Sequence, residues 1–312
     1  MTGTGNPAVV VSDVRQDRVG GRSALDGVSF TVAEGEFFGL LGPAGSGKTA
    51  LLEVLDGLRR PDSGRVELLG VEPWPRDERL AHRVGMRPQV PSFFDGMAAL
   101  DQVMTFGALR GVGVTEAVRA LDLVGLAGKL DVPEYRMTAT QRQLLSLACC
   151  LAHDPDVLLL DEPTAGLDPT ARRHVWDVLR TVQASGKTVV CATGHPDEAE
   201  ILCDRVAVLD HGRVLAADTP AALVRRLGAP TLVILPAGEI SARDAQAITG
   251  VDRAREIGSS LVIATRRPGQ VLSALSAHCP TDGFQVRTPA LEDVFLGLTG
   301  REYPVAADPQ AG

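Results

Sequence analysis

No stretch of the 312-residue chain approaches the roughly 20 apolar residues that span a bilayer, so no membrane helix is expected. The opening Met1-Thr-Gly-Thr-Gly-Asn-Pro7 lacks a basic region followed by an apolar one, which argues against a secretory leader. Basic residues are outnumbered: 31 Lys and Arg face 39 Asp and Glu, leaving a formal charge of −8. General nucleic-acid binders carry the opposite sign, so no nucleic-acid partner is expected. The five cysteines (Cys149, Cys150, Cys191, Cys203 and Cys279) form no C-x-x-C pair and are odd in number. That excludes a simple disulfide framework and gives no support for a thiolate metal site. Four lie in apolar surroundings and read as reduced, buried thiols of a cytosolic protein. No internal repeat stands out.

What is present is ample for a core: 45% of the residues are apolar, and the length suits one large domain and one small one. The chain is organised around Gly42-Pro43-Ala44-Gly45-Ser46-Gly47-Lys48-Thr49, followed by Ala50. An apolar run, Phe37-Phe-Gly-Leu-Leu41, precedes it. A helical pattern with Leu51, Leu52, Leu55 and Leu58 on one face follows. Strand, Gly-rich loop and helix are the context of a phosphate-binding loop. Its glycines permit turns that aim successive N–H groups at phosphate oxygens, and the helix adds the positive end of its dipole. Lys48 would reach the β- and γ-phosphates, and Thr49 would place its hydroxyl on Mg²⁺. The plain alternative is an ordinary Gly-rich turn.

Along the chain, Ala8–Val11 and Val28–Val32 read as strands, and Arg65–Leu69 as a third. Val84 to Pro91 reads as a strand leaving into a loop. Residues 98–152 change to helical periodicity and read as an inserted helical subdomain. Val157–Leu160 and Thr188–Ala192 are continuous apolar runs between helices, the pattern of a parallel sheet buried on both faces. Arg205–Leu209 and Arg213–Leu215 read as a hairpin. A boundary is expected at Gly228-Ala-Pro230, giving domains at 1–230 and 231–303 and a disordered tail at 304–312. The second domain reads as strand 231–235, helix 242–248, strand 261–264, helix 271–278, strand 284–286 and helix 291–298, a small α+β unit. His278 and Cys279 are adjacent in it but have no ligand partners at useful spacing.

Asp161 and Glu162 emerge at the C-terminal end of the strand 157–160, where parallel α/β sheets bind ligands. Asp161 can hold Mg²⁺ directly or through water, and Glu162 can orient or deprotonate an attacking water. With this pair the chain resembles an ABC-transporter ATP-binding subunit over roughly residues 8–230. The resemblance implies a P-loop NTPase cassette: a mainly parallel α/β core sheet, an antiparallel β subdomain and the helical insertion. Gln89 in Arg87-Pro-Gln89 matches the Q-loop, which in the family senses Mg²⁺-nucleotide and touches the membrane subunit. Asp161 and Glu162 match the Walker B pair, and Ala165-Gly-Leu-Asp168 matches the D-loop. Asp197-Glu-Ala-Glu200 with Leu202-Cys-Asp204 resembles the helix after the family's switch histidine. Leu291-Glu-Asp-Val-Phe-Leu-Gly-Leu-Thr-Gly300 is similar to the ending of daunorubicin/doxorubicin-resistance-type subunits, which serve ABC-2-type exporters.

Three departures stand beside these matches. Where the family has Leu-Ser-Gly-Gly-Gln, this chain has Met137-Thr-Ala-Thr-Gln141. Thr138 keeps a hydroxyl and Gln141 its amide, but Ala139 and Thr140 replace both glycines, and Thr140 brings a branched side chain where close approach is expected. Where the family commonly has Thr-His, this chain has Thr193-Gly194-His195. Strict register puts Gly194 at the switch position. A one-residue shift would bring His195 to the γ-phosphate; otherwise His195 only opens the next helix ahead of Pro196. Val19 stands where an aromatic residue often stacks on adenine, a contact worth about 1–3 kcal/mol by analogy with single-stranded nucleic acids. Ala44 stands where Asn is common.

The resemblance therefore implies an ATPase that binds ATP and Mg²⁺ and drives export through a separate ABC-2-type permease. It would sit in the cytoplasm, peripheral on the inner face of the membrane. It would work as a homodimer, or as a heterodimer with a subunit whose signature is intact. Thr138, Gln141 and Asp168 would face nucleotide across that dimer, with Glu162, Gln89 and His195 as catalytic candidates. The alternative is a nucleotide-binding scaffold or regulator without useful hydrolysis. DNA-repair and ribosome-associated ABC ATPases fit less well, because the chain has one contiguous cassette and an acidic charge. By resemblance alone, the C-terminal domain is expected to regulate or to stabilise the dimer.

Overall fold

The structure is a computed structural model that describes residues 7–17, 23–277 and 283–300. Val19, His278, Cys279 and the expected tail at 304–312 lie outside the described residues. The chain divides into two compact units between Pro220 and Ala221.

The first unit contains β1 (Pro7–Asp17), β2 (Ser23–Ala33), β3 (Phe37–Leu41), α1 (Lys48–Leu55), β4 (Ser63–Leu68), α2 (Glu78–Ala81) and β5 (Val84–Arg87). It continues with α3 (Ala99–Gly107), α4 (Val114–Leu123), α5 (Ala139–Leu151), β6 (Val157–Asp161), α6 (Pro169–Ala184), β7 (Thr188–Thr193), α7 (Pro196–Leu202), β8 (Arg205–Asp210) and β9 (Arg213–Asp218). A six-stranded sheet runs β5-β6-β7-β3-β8-β9. Its ladders are parallel up to β8, and β8–β9 is an antiparallel hairpin. Every residue of β3, β6 and β7 is buried. Successive side chains point to opposite faces, so both faces of these strands are covered, as their unbroken apolar runs require.

A three-stranded antiparallel sheet, β2-β1-β4, lies on the other side of α1. Leu51, Leu52, Val54 and Leu55 share one core cluster with Val9, Leu25 and Val66 of that sheet and with Leu40 and Val190 of the main sheet. Each such side chain contributes about 1.5–3 kcal/mol when fully buried, which holds the helix behind the phosphate loop in place. Leu58 does not join this face. The helix stops at Leu55, Asp56 caps it, Gly57 turns left-handed at φ 69°, and Leu58 is left 53% exposed. The first strand is longer than its apolar run. A register shift between Val11 and Val14 carries it to Asp17, with Val14 and Gln16 turned inward.

The second unit holds α8 (Pro220–Leu227, from Ala221 on), β10 (Thr231–Pro236), α9 (Ala242–Ala247), β11 (Val251–Ile257), β12 (Ser260–Thr265), α10 (Pro268–Ser276), β13 (Gln285–Arg287) and α11 (Leu291–Thr299). The sheet is antiparallel in the order β11-β12-β10-β13. It packs Val233, Leu235, Leu261 and Ile263 against Ala245, Val271 and Leu275 of the helices. β11 is absent from the sequence-based reading. The unit also begins about one helix earlier than Gly228–Pro230. The reason is packing: a Cβ on Gly297 of α11 would sit 2.3 Å from Leu227 Cδ1, so α8 is seated directly on α11. Among the described residues, no helix is long and apolar enough to cross a membrane.

Candidate functional site

Parallel pairing brings the C-terminal ends of β3, β6 and β7 side by side. The chain leaves β3 through Gly42, whose N–H donates to the Thr193 carbonyl at 3.3 Å. A Cβ on Gly42 would lie 2.4 Å from the Leu209 carbonyl oxygen, so no other residue fits. Gly47 takes φ 110° and would clash with the Ala24 carbonyl, leaving glycine as the N-cap of α1. With no side-chain cap there, the first-turn N–H groups face the loop, a ready site for an anion. The Ser46 hydroxyl is buried and has no partner among the described residues. Ala44 is exposed, whereas Ala50 turns its side chain toward the core.

Lys48 is 6% exposed. Its ammonium donates to the carbonyls of Gly42 (2.5 Å) and Pro43 (3.2 Å) and pairs with Glu162 Oε1 at 3.2 Å. Thr49 Oγ1 donates to Asp161 Oδ2 at 2.7 Å across 112 residues of sequence. Asp161 is 1% exposed, and its Oδ1 has no partner among the described residues. Burial pushes its carboxyl above the ordinary carboxylate range. The Thr49 hydrogen bond opposes the rise, the Glu162 charge adds to it, and Lys48 and Arg87 oppose it.

Glu162 adopts φ 46°, a left-handed conformation that a non-glycine residue holds only when its surroundings enforce it. The enforcing bonds are visible. Its N–H donates to the Ala192 carbonyl at 2.8 Å, and its Oε2 accepts from the Gly194 N–H at 2.9 Å. A Cβ at position 194 would meet Glu162 Oε1 at 3.3 Å, so this position abuts the carboxylate. His195 is the N-cap of α7, and its own N–H donates to Thr193 Oγ1.

Of the remaining candidates, Gln89 shares a cleft with this cluster. Gln89 is exposed and lines a cleft of about 510 Å³ together with Thr49, Asp161, Val90, Phe93 and Phe106. Thr138 and Gln141 cap α5 reciprocally: Thr138 Oγ1 accepts from Gln141 N–H, and Gln141 Oε1 accepts from Thr138 N–H. Asp168 caps α6, accepting from the N–H groups of Thr170 and Ala171. The structure thus gathers Lys48, Thr49, Asp161, Glu162 and Gly194 at one place, while Thr138, Gln141 and Asp168 bond within their own helix starts.

Two groups escaped sequence reasoning. Arg87 is buried beside Asp161, where its residue type suggests surface. Glu198 is buried too, accepting from Thr164 Oγ1 (2.7 Å) and Trp176 Nε1 (2.8 Å), so α7 is tied to the turn after Glu162 and to α6. Burial raises its carboxyl above the ordinary range. A signal for Glu198 existed: with Ala199 and Leu202 it lines the inward face of α7. Cys149, Cys150, Cys191 and Cys203 are free thiols, pushed upward in pKa by burial.

The profile of the ABC transporter family matches residues 25–165. The chain is similar to the Nod factor export ATP-binding protein I of Sinorhizobium fredii, with 38% identity over 291 residues, covering 91% of this chain and 83% of that one. The protein of the same name from Paraburkholderia xenovorans is 38% identical over 303 residues, covering 95% and 98%. Among solved structures, cbiO1 from Clostridium perfringens, part of the ABC transporter complex cbiONQ, matches with a TM-score of 0.63 and 26% identity, over 72% of this chain and 95% of that one. A dimeric post-hydrolysis ATP-binding cassette bound to ADP and Pi matches with a TM-score of 0.62 over 68% and 98%. Its identity of 24% supports the fold alone.

Proposed function

The chain belongs to the ABC transporter ATP-binding family, and from that premise we propose how its own residues handle the nucleotide. It is the ATP-binding, ATP-hydrolysing subunit of an ABC exporter. The observation that carries the site assignment is the convergence of the Thr49–Asp161 hydrogen bond and the Lys48–Glu162 pair on the mouth of one Gly-rich loop. Residues 42–50 cradle the phosphates, and Lys48 neutralises their charge. The oxygen donors fit Mg²⁺: a hydroxyl on Thr49, the unpartnered buried Oδ1 of Asp161, and the Gln89 amide along the cleft. When bound, the metal supplies charge neutralisation at the phosphates. Glu162 orients or deprotonates the attacking water, held in place by Gly194 N–H and Lys48.

Thr138, Gln141 and Asp168 act from the opposite side of a head-to-tail dimer, homomeric or with a paralogue whose signature keeps its glycines. The apolar cleft bearing Gln89, Val90, Phe93 and Phe106 receives the permease, of ABC-2 type in the daunorubicin/doxorubicin-resistance subfamily. The ending Leu291–Gly300, which forms α11 with Gly300 as its left-handed C-cap, supports that subfamily. Through the permease the subunit lies against the inner face of the membrane, and the permease selects the cargo. The relatives from Sinorhizobium fredii and Paraburkholderia xenovorans bear the name Nod factor export ATP-binding protein I. His195 stays a candidate for the γ-phosphate through a shift of its loop.

One observation favours the second reading, a nucleotide-binding scaffold: Gly194, without a side chain, occupies the position against Glu162. Turnover of Mg-ATP by the full chain, alone and with its permease, separates the two. Binding without turnover in both settings supports the scaffold, and absence of any Mg-ATP affinity rejects the site.

A further inference from the structure

Arg87 ends β5, the edge strand of the core sheet, and is 1% exposed. Burying a guanidinium costs several kcal/mol unless its donors are met. Its partners lie on three different segments. Nη1 donates to the Asp161 carbonyl at 2.9 Å and, more weakly, to the Pro88 carbonyl at 3.4 Å. Nη2 donates to Gln143 Oε1 on α5. Among the described residues, Arg87 forms no ion pair, and its Nε is buried without a partner. Burial pulls its pKa down, yet an arginine remains charged at any working pH. A methionine would fill the same space at lower cost, so the charge and the fork need a reason beyond filling volume.

The geometry supplies one. Gln143 is in the first turns of α5, directly after the Thr138–Gln141 capping box. The Asp161 carbonyl belongs to the residue whose carboxylate accepts from Thr49. Pro88 opens the loop that carries Gln89. The far end of that loop is also fixed: Gln102 is buried and exchanges both amide bonds with the backbone of Phe94. We propose that Arg87 is a positioning residue for the ATPase reaction, tying the N-terminal part of α5 to the backbone of Asp161 so that the metal carboxylate keeps its place. This rests on the assignment of Asp161 to the metal site. The planar fork is what the task needs, because one rigid group meets acceptors on two elements at fixed angles. A lysine offers a single point of attachment.

The test uses the full chain, reading kcat, KM for Mg-ATP and thermal stability. Gln143→Leu removes the acceptor and leaves the charge. We expect kcat to fall roughly 10- to 100-fold, the range for a lost bond to a charged group, with KM within about threefold of wild type. Gln143→Glu keeps an acceptor and restores most of that loss. Arg87→Lys behaves like Gln143→Leu. An unchanged kcat in Gln143→Leu overturns the proposal, as does a loss in Gln143→Glu equal to that in Gln143→Leu, which would show that the tie is not what the reaction needs. A fall in thermal stability with kcat and KM moving together also overturns it, as a merely structural role. If Arg87→Lys fails to fold, the Gln143 pair decides alone. A wild-type chain without Mg-ATP affinity removes the site assignment and this proposal together, and one that binds Mg-ATP without turnover removes the proposal alone. A turning-over wild type with an insensitive Gln143→Leu removes only the proposal.

Discussion

The phosphate-loop side of the site and the N-terminus of α5 are both rich in polar groups, but they hold them in opposite ways. On the loop side the groups are charged and buried. Lys48 and Asp161 are almost without solvent, Glu162 is held in a left-handed backbone, and Arg87 and Asp56 lie behind them. At α5, Thr138 is exposed, Gln141 is half-buried, and both are neutral and satisfied by each other. Burying charge without full pairing lowers stability, and such arrangements concentrate where chemistry is done. A satisfied, solvent-facing cap carries no such cost and becomes part of a site only when another molecule covers it. The difference separates a half-site built into this chain from a surface that depends on a partner.

The sharpest way to break this contrast is Glu162→Gln. The amide keeps the size and one acceptor but cannot take a proton. Turnover is expected to fall roughly 10²- to 10⁴-fold with Mg-ATP binding retained, measured as single-turnover hydrolysis beside equilibrium binding. Unchanged turnover would show that the strained carboxylate is structural. Lys48→Ala comes next. It removes the cation that bonds Gly42, Pro43 and Glu162, and Mg-ATP affinity should weaken roughly 10- to 150-fold, read by equilibrium titration.

Much of the loop side was legible in the sequence because backbone demands select residue types. Gly42 and Gly47 stand where any Cβ would collide, and β6 shows its burial as an unbroken apolar run ending in Asp161. What stayed hidden depends on contacts between distant segments. Nothing local in Val84-Gly-Met-Arg87 says that the arginine turns inward to the Asp161 carbonyl, 74 residues away. The edge strand β11, Val251-Asp-Arg-Ala-Arg-Glu-Ile257, is mostly exposed, so it carries no apolar alternation. Its one cue is Gly258, left-handed in the two-residue turn that pairs Ile257 with Ser260. The overlong α1 face came from reading Leu58 as the next turn, although Asp56-Gly57 marks the stop.

Asp56 sharpens the contrast by a smaller amount. It lies behind the loop at the end of α1, 3.6 Å from Arg76 Nη2. Burial raises its pKa from 3.8 to about 6, with Arg76 and Arg110 pulling the other way. A carboxyl raised on folding contributes stability that is fully present below pH 3.8 and is lost as pH climbs through about 6. Above that range the ionised group is a burden. Asp56→Asn should therefore stabilise the chain at pH 8 by about 1–3 kcal/mol relative to wild type, and the gain should vanish near pH 4. Thermal unfolding at the two pH values checks it. A gain that persists at pH 4 would assign the effect to packing rather than to charge.

The smallest effect is expected from Thr138→Ala. The hydroxyl accepts from Gln141 N–H, so its loss uncaps α5 and should lower stability by about 1 kcal/mol. In the dilute full chain, Mg-ATP affinity should stay as in wild type, because no phosphate-loop residue bonds to Thr138. At concentrations or in complexes where two subunits meet, turnover should fall, since the same hydroxyl is then asked to face a nucleotide. The informative quantity is the concentration dependence of the mutant's defect. A defect that grows with assembly keeps the two halves of the site on different molecules. A loss of affinity in the dilute chain as large as that of Lys48→Ala would place Thr138 on the chain's own nucleotide, and the contrast between a built-in half-site and a borrowed one would fail.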